Sequence, residues 1–244
     1  MIRKKKNNIE WLEFEKLSRI PGLVHGVFLR SGGLSLGPYS SLNAGGGTGD
    51  EPSIVNKNRE LIQQTLGVPL LIDGKQVHKD TIIHVNGDIG CTECDGLITH
   101  KKGLGLFIKH ADCQAAIFYD TKNKTIANVH CGWRGNVQNI YGKTVTEMQA
   151  NPSDLIVCIS PSLGPEFSEF KNYKEELPEH FWPYQFKPLY FNLWEISKKQ
   201  LLDAGVPESN IEIASLCTYT HPHDFFSYRR DKPTGRNATL VALL

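Results

Sequence analysis

Apolar residues in this chain fall into many short runs rather than a few long stripes. Nine of them, rich in β-branched and aromatic residues and bounded by turn formers, predict strands at 24–29, 77–85, 95–99, 104–109, 114–119, 125–130, 155–160, 211–216 and 238–243. Asp120 to Lys124 (DTKNK) reads as a tight turn between two antiparallel members of that set. Helical periodicity is confined to three segments. Over 52–66, Ile54, Val55, Asn58, Leu61, Ile62 and Thr65 share a stripe, with Pro52 suited to the first turn and Gly67 to the stop. Over 135–149, Val137, Ile140, Tyr141, Val145 and Met148 share a face. The third helix, 193–204, opens with Asn192 and Glu195 at capping-box spacing and ends at Gly205. Strands outnumber helices and do not alternate with them strictly, which predicts an α+β fold rather than a doubly wound one. No repeat, low-complexity tract or charged linker divides the chain. A single domain over 1–244 is expected, with 1–20 as an N-terminal extension.

Composition narrows the function classes. Lys and Arg number 27 against 26 Asp and Glu, a net charge of +1, so the basic field that nucleic-acid binding draws on is absent. A small polar or anionic metabolite fits better. The basic run Arg3 to Lys6 is followed by Asn7, Asn8, Glu10, Glu13 and Glu15 where a signal peptide would turn apolar, so it reads as a solvated start of chain. No stretch approaches the roughly 18 apolar residues of a membrane span. A cytoplasmic setting is therefore expected. Six cysteines are too few for a disulfide scaffold at this length; Cys158, in LIVCIS, reads as a small buried hydrophobe.

Reactive side chains are densest in KHADCQAAIFYD and NVHCGWRG. Cys113 follows Asp112 between two strands. His130 ends a strand, and Arg134 stands at the opening of a helix, where backbone amides can receive an anion. Upstream, KQVHKD places Gln76 and His78 on one side of an extended segment. His78, Cys113 and His130 would make a three-ligand zinc site with a fourth position open to water. The same residues also permit a metal-free reading, with Cys113 as thiolate nucleophile and His130 as its base. Spacing alone does not choose between them. Other candidates are weaker: Cys91 and Cys94 lack a second CxxC, GGGTGD at 45–50 lacks the Lys-Ser/Thr of a P-loop and reads as a flexible loop, and His221/His223 reads as an exposed polar loop. Tyr228, Arg229 and Arg230 in FFSYRRD are divided between aromatic core packing and function.

Taken in order, SLNAGGGTGD with a following NR, QVH, CDGLITH, HADC, HCGWRG, CTY and FFSYRRDKPTGR resemble the YfiH/YlmD family, from about His25 to the C-terminus. Members were first labelled multicopper polyphenol oxidases or laccases and are now regarded as purine nucleoside phosphorylases with adenosine deaminase activity. The resemblance implies one α+β domain with mixed β-sheets flanked by helices, related to a toxin deamidase fold, and zinc on His78, Cys113 and His130. It also brings Asn43, Arg59, Gln76, Asp112 and Arg134 to the pocket. The expected roles are phosphate binding for Arg59 or Arg134, proton shuttling or ligand orientation for Asp112, and substrate binding for Asn43, Gln76 and Arg229. The expected partners are a purine nucleoside and phosphate, with no nucleic acid or membrane.

Two positions depart from the family pattern. Cys131 replaces the usual alanine after the motif histidine, and is either a bystander or an alternative ligand. Ser162 replaces a turn cysteine, which should leave the metal site intact and alter the pocket wall. Two rivals stay open: a copper polyphenol oxidoreductase, disfavoured by nine scattered histidines, and a Cys113-dependent amidase editing peptidoglycan precursors.

Overall fold

Strands whose every residue is buried need cover on both faces, and Gln114–Asp120, Ile126–Cys131 and Asn237–Leu243 are of that kind. In the computed structural model, which describes all 244 residues, that cover comes from a second sheet on one side and helices on the other. In chain order the strands are β1 Ile2–Lys6, β2 Ile9–Glu13, β3 Leu23–Phe28, β4 Leu70–Ile72, β5 Ile82–His84, β6 Gly96–Thr99 and β7 Leu104–His110. They continue with β8 Gln114–Asp120, β9 Ile126–Cys131, β10 Leu155–Ile159, β11 Gln185–Lys187, β12 Tyr190–Phe191, β13 Ile211–Ile213 and β14 Asn237–Leu243. The helices are α1 Glu15–Ser18, α2 Pro52–Leu66, α3 Trp133–Val137, α4 Ile140–Glu147, α5 Tyr173–Glu176 and α6 Leu193–Asp203.

The first sheet runs β1-β2-β3-β14-β7-β4 and the second β13-β10-β8-β9-β6-β5. Both are mixed: β4–β7, β5–β6 and β10–β13 are parallel and the other pairs antiparallel. Alternation then sorts each strand between two layers. Ile117 and Tyr119 of β8 meet Leu106 of β7 and Val241 of β14 between the sheets. Ala116 and Phe118 turn outward to Ile140, Tyr141 and Val145 of α4 and Leu201 of α6. Phe107 and Leu240 of the first sheet turn the other way, onto Ile62 of α2. The order of layers is helix, sheet, sheet, helix.

The expected α+β architecture is present in one domain, and several boundaries differ from expectation. Residues 1–20 are no loose extension: β1 and β2 form a hairpin joined to β3, Phe14 and Leu17 are fully buried, and Arg3 pairs with Glu10 and Asp224. The strand expected over 77–85 is reduced to β5, because 77–81 is a loop in which His78 has φ +59°. Gln76 and His78 therefore do not share one side of an extended segment. The strand expected over 211–216 stops at Ile213, and Ser215 turns the chain at φ +50°. The helix expected over 135–149 is two helices. Asn139 takes φ +51° and its side chain accepts the Gly142 N–H, ending α3 and capping α4. Helices α2 and α6 match expectation, with Gly67 left-handed after α2 and Asn192 accepting the Glu195 N–H. No helix is long and apolar enough to cross a membrane.

Candidate metal centre and its cleft

Register brings the three expected ligands to one end of the second sheet. Ala115 pairs with His130, Val129 with Gly96, and Gly96 with Ile82. The loop before β8 carries Cys113, β9 carries His130 near its end, and the loop before β5 carries His78. Their ligand atoms lie within 4.8 Å of one another. Zinc bonds of about 2.0–2.3 Å put tetrahedral ligand atoms roughly 3.3–3.8 Å apart, so the set needs to draw in by about 1.5 Å at most. The His78 and His130 rings stand edge-on at 88°. His78 is exposed, Cys113 half-buried and His130 buried, which leaves the open side of the set toward solvent. Glycine at 132 leaves the ligand cluster uncrowded. A Cβ would fall 3.0 Å from Cys113 Sγ and 3.4 Å from His78 Cδ2.

The charges on the set are coupled. Burial works against a Cys113 thiolate, but His130 and His78 outweigh it and bring the thiol down to about 6. Burial likewise opposes protonation of His130, yet the thiolate and Asp95 raise it to about 9. A low thiol pKa suits both metal ligation and nucleophilic attack. His130 Nδ1 lies 2.8 Å from Asp95 Oδ1, so Nε2 is the nitrogen left to ligate. A donor set of one thiolate and two imidazoles, one of them carboxylate-bonded, with an open side, fits a catalytic zinc ion.

Two lobes of a cleft meet over this centre. The larger, about 850 Å³, is walled by Gly45, Gly46, Arg59, Asp73, Lys109 and Arg236. Arg59 Nε donates to Ala44 O at 2.9 Å, and its Nη1 stands 3.5 Å from Asp73. Lys109 Nζ bonds Asp73 Oδ2 at 2.6 Å. Arg236 forms no ion pair; burial pulls its pKa down from the usual guanidinium value. A fourth cation, Lys75, is paired with Glu93, so with Asp73 set against Arg59, Lys109 and Arg236 this lobe keeps two positive charges. The smaller lobe, about 220 Å³, is walled by Trp133, Leu163, Phe170 and Leu193 with Arg134 and Arg229. Tyr228, half exposed, belongs to both lobes, as do His78 and Cys113.

The remaining expected residues are placed as follows. Arg134 is exposed and lies over the Trp133 ring at 4.2 Å. Arg229 reaches back to Phe167 O at 2.9 Å. Asp112, at φ +79°, accepts from Thr218 Oγ1 and the Arg229 N–H, each at 2.6 Å. Each oxygen thus holds one donor, and Asp112 clasps two loops together beside the ligand cluster. Gln76 is pegged to the Lys109 backbone at both its oxygen and nitrogen, and lines the larger lobe. Asn43 is fully buried and binds Gly45 N and Arg236 N through Oδ1, so it shapes the glycine loop rather than facing the cleft. That loop, expected to be flexible, is tied down and forms a wall. Cys131 lies outside the ligand cluster; burial pushes its thiol well up, and its Sγ faces Gly132 O. Ser162 is buried and accepts the Trp194 indole N–H at 2.7 Å, keeping the wall closed without a cysteine. Cys91 is exposed and Cys94 buried, with the latter raised to about 11 by burial. Asp95, Lys109 and Arg236 were not foreseen, whereas Tyr228, offered by the FFSYRRD run, does line the cleft. Asp95 and Arg236 sit in the motifs CDGLITH and DKPTGR, which mark the segments without marking the residue.

The family model for multi-copper polyphenol oxidoreductase laccase matches residues 24–244. The chain belongs to that family. Its relatives include the purine nucleoside phosphorylase YlmD of Geobacillus stearothermophilus, 33% identical over 90% of each chain. The purine nucleoside phosphorylase of Bacteroides thetaiotaomicron is 31% identical, again over 90% of each. The YfiH purine nucleoside phosphorylase of Escherichia coli is 30% identical over 88% of this chain and 91% of its own. Among solved structures, YlmD from Geobacillus stearothermophilus superposes with a TM-score of 0.88 at 29% identity, covering 98% of this chain and 97% of its own. The Bacillus licheniformis protein YfiH gives the same TM-score at 25% identity, with 99% coverage of both.

Proposed function

We propose that this chain is a zinc-dependent purine nucleoside phosphorylase that also deaminates adenosine, with the metal on His78, Cys113 and His130. The observation that carries this reading is the meeting of two unlike lobes over one three-ligand cluster. Two net positive charges in the larger lobe match a phosphate dianion. The Arg59 guanidinium supplies directed N–H donors and the Lys109 ammonium a point charge. Trp133 and Phe170 in the smaller lobe offer aromatic faces to a purine. The glycosidic carbon would then lie between them, near Tyr228, with phosphate oxygen attacking as the base departs. A zinc ion held by the triad supplies Lewis acidity and water activated near neutral pH, the chemistry that deamination requires. The names carried by the YlmD and YfiH relatives support the phosphorylase half.

One observation favours a second reading. Cys113 and His130 together have the pKa pattern of a thiolate–imidazolium pair, as a Cys-His hydrolase requires. The copper oxidase reading has less support, since His78, Cys113 and His130 are the one cluster of three or more metal-binding side chains, and a multicopper oxidase needs several. Phosphate dependence tests the proposal. Arg236→Gln removes one of the larger lobe's cations, and KM for phosphate in adenosine phosphorolysis should rise about tenfold or more, as expected for a charged hydrogen bond of roughly 1.5–3 kcal/mol. An unchanged phosphate KM, or nucleoside cleavage independent of phosphate, would remove the anion assignment.

A further inference from the structure

One buried carboxylate touches two of the three ligand-bearing segments. Asp95 is fully buried and immediately precedes β6. Its Oδ1 accepts from His130 Nδ1 at 2.8 Å and from the His78 N–H at 3.0 Å. Its Oδ2 accepts the N–H groups of Lys79 at 2.9 Å and Val77 at 3.1 Å. The main chain adds to this: Asp95 O accepts the His130 N–H at 2.7 Å, and Asp95 N–H donates to Thr81 O at 2.9 Å. No lysine or arginine pairs with it. Three successive amides converging on one carboxylate bend 77–79 into a tight loop, and this is the loop in which His78 holds φ +59°. A buried carboxylate is costly unless fully bonded, and here each bond it makes also aims a ligand.

We propose that Asp95 is the positioning residue of the metal centre. It fixes the tautomer and direction of the His130 ring and the backbone path that presents His78, so one side chain sets the relative placement of both imidazoles. The inference rests on the metal reading above. It does not make Asp95 a participant in the chemistry.

Cobalt(II) titration of metal-stripped wild type and Asp95→Asn tests it. Asparagine keeps the shape but turns an N–H toward the amides of 77 and 79 or toward His130. The variant should bind cobalt about 10–100-fold more weakly, the usual cost of losing such a partner, and show altered d–d bands. A merely structural role would lower the melting temperature while leaving cobalt affinity and spectrum unchanged in the folded range, and that result overturns the proposal. A wild type that binds no cobalt overturns the metal reading and this inference with it. A variant that binds like the wild type overturns only this inference. Should Asp95→Asn not fold, ¹⁵N spectra of the zinc-loaded wild type decide the matter. His130 should ligate through Nε2 and keep an exchange-protected Nδ1–H; ligation through Nδ1 overturns the proposal.

Discussion

Replacing His78 with alanine separates the metal enzyme from the cysteine hydrolase. His78 is exposed, so its removal opens no core cavity, and alanine retains the backbone N–H that Asp95 accepts. The left-handed φ of +59° suits alanine somewhat less than histidine, so stability should fall slightly while the fold is kept. The effect falls on ligation. Structural zinc sites of four ligands are worth about 10–16 kcal/mol, or roughly 2.5–4 kcal/mol per ligand. Loss of one ligand therefore weakens zinc binding about 10²–10³-fold. A competition titration against a chromophoric chelator reads that change directly, and adenosine phosphorolysis and deamination should fall together to the level of Cys113→Ala. A Cys113–His130 dyad has no need of His78. If His78→Ala folds, turns over normally and binds zinc as tightly as the wild type, the three-ligand argument is wrong.

Two further outcomes follow from local geometry. Gly132→Ala should weaken zinc binding with little change in far-UV circular dichroism, because the new Cβ presses on Cys113 Sγ at 3.0 Å; unchanged affinity would mean the loop yields freely. The second concerns acid stability. Burial lowers His25 from 6.5 to about 4, and its Nε2 accepts the Phe14 N–H at 2.8 Å, so protonation would set two N–H groups against each other. Between those values the unfolded chain binds a proton that the folded chain refuses. Stability is therefore complete above pH 6.5 and is lost as pH falls through 4, by about 3 kcal/mol in all. Urea melts of the wild type and His25→Gln across that window should show a shallower slope in the variant; parallel slopes would refute the assignment.

What could be read from the chain depended on whether a constraint was local. The strands β8 and β14 are covered on both faces, so their sequences are continuous apolar runs and their positions were plain. The β1 strand escaped notice because IRKKK lies at a sheet edge, with its charges exposed and paired to Glu10 and Asp224. The 77–81 loop reads as strand in sequence because its shape is imposed by Asp95, which lies outside the segment and contributes no local pattern. Asn139 interrupts an otherwise continuous helical face, and only its left-handed φ shows that α3 and α4 are separate. At the site, the residue types of His78, Cys113 and His130 were visible, whereas their proximity comes from strand register. Arg236 and Lys109 join Arg59 only once β14 and β7 lie side by side.

The central claim is that turnover depends on a metal held by His78, Cys113 and His130, and metal content measured alongside activity tests it most directly. Protein purified without chelator should carry about one zinc per chain. Stripping it should abolish adenosine phosphorolysis and deamination, and stoichiometric zinc should restore both. Full activity in demonstrably metal-free protein would contradict the account and leave the Cys113 thiolate as the reacting group.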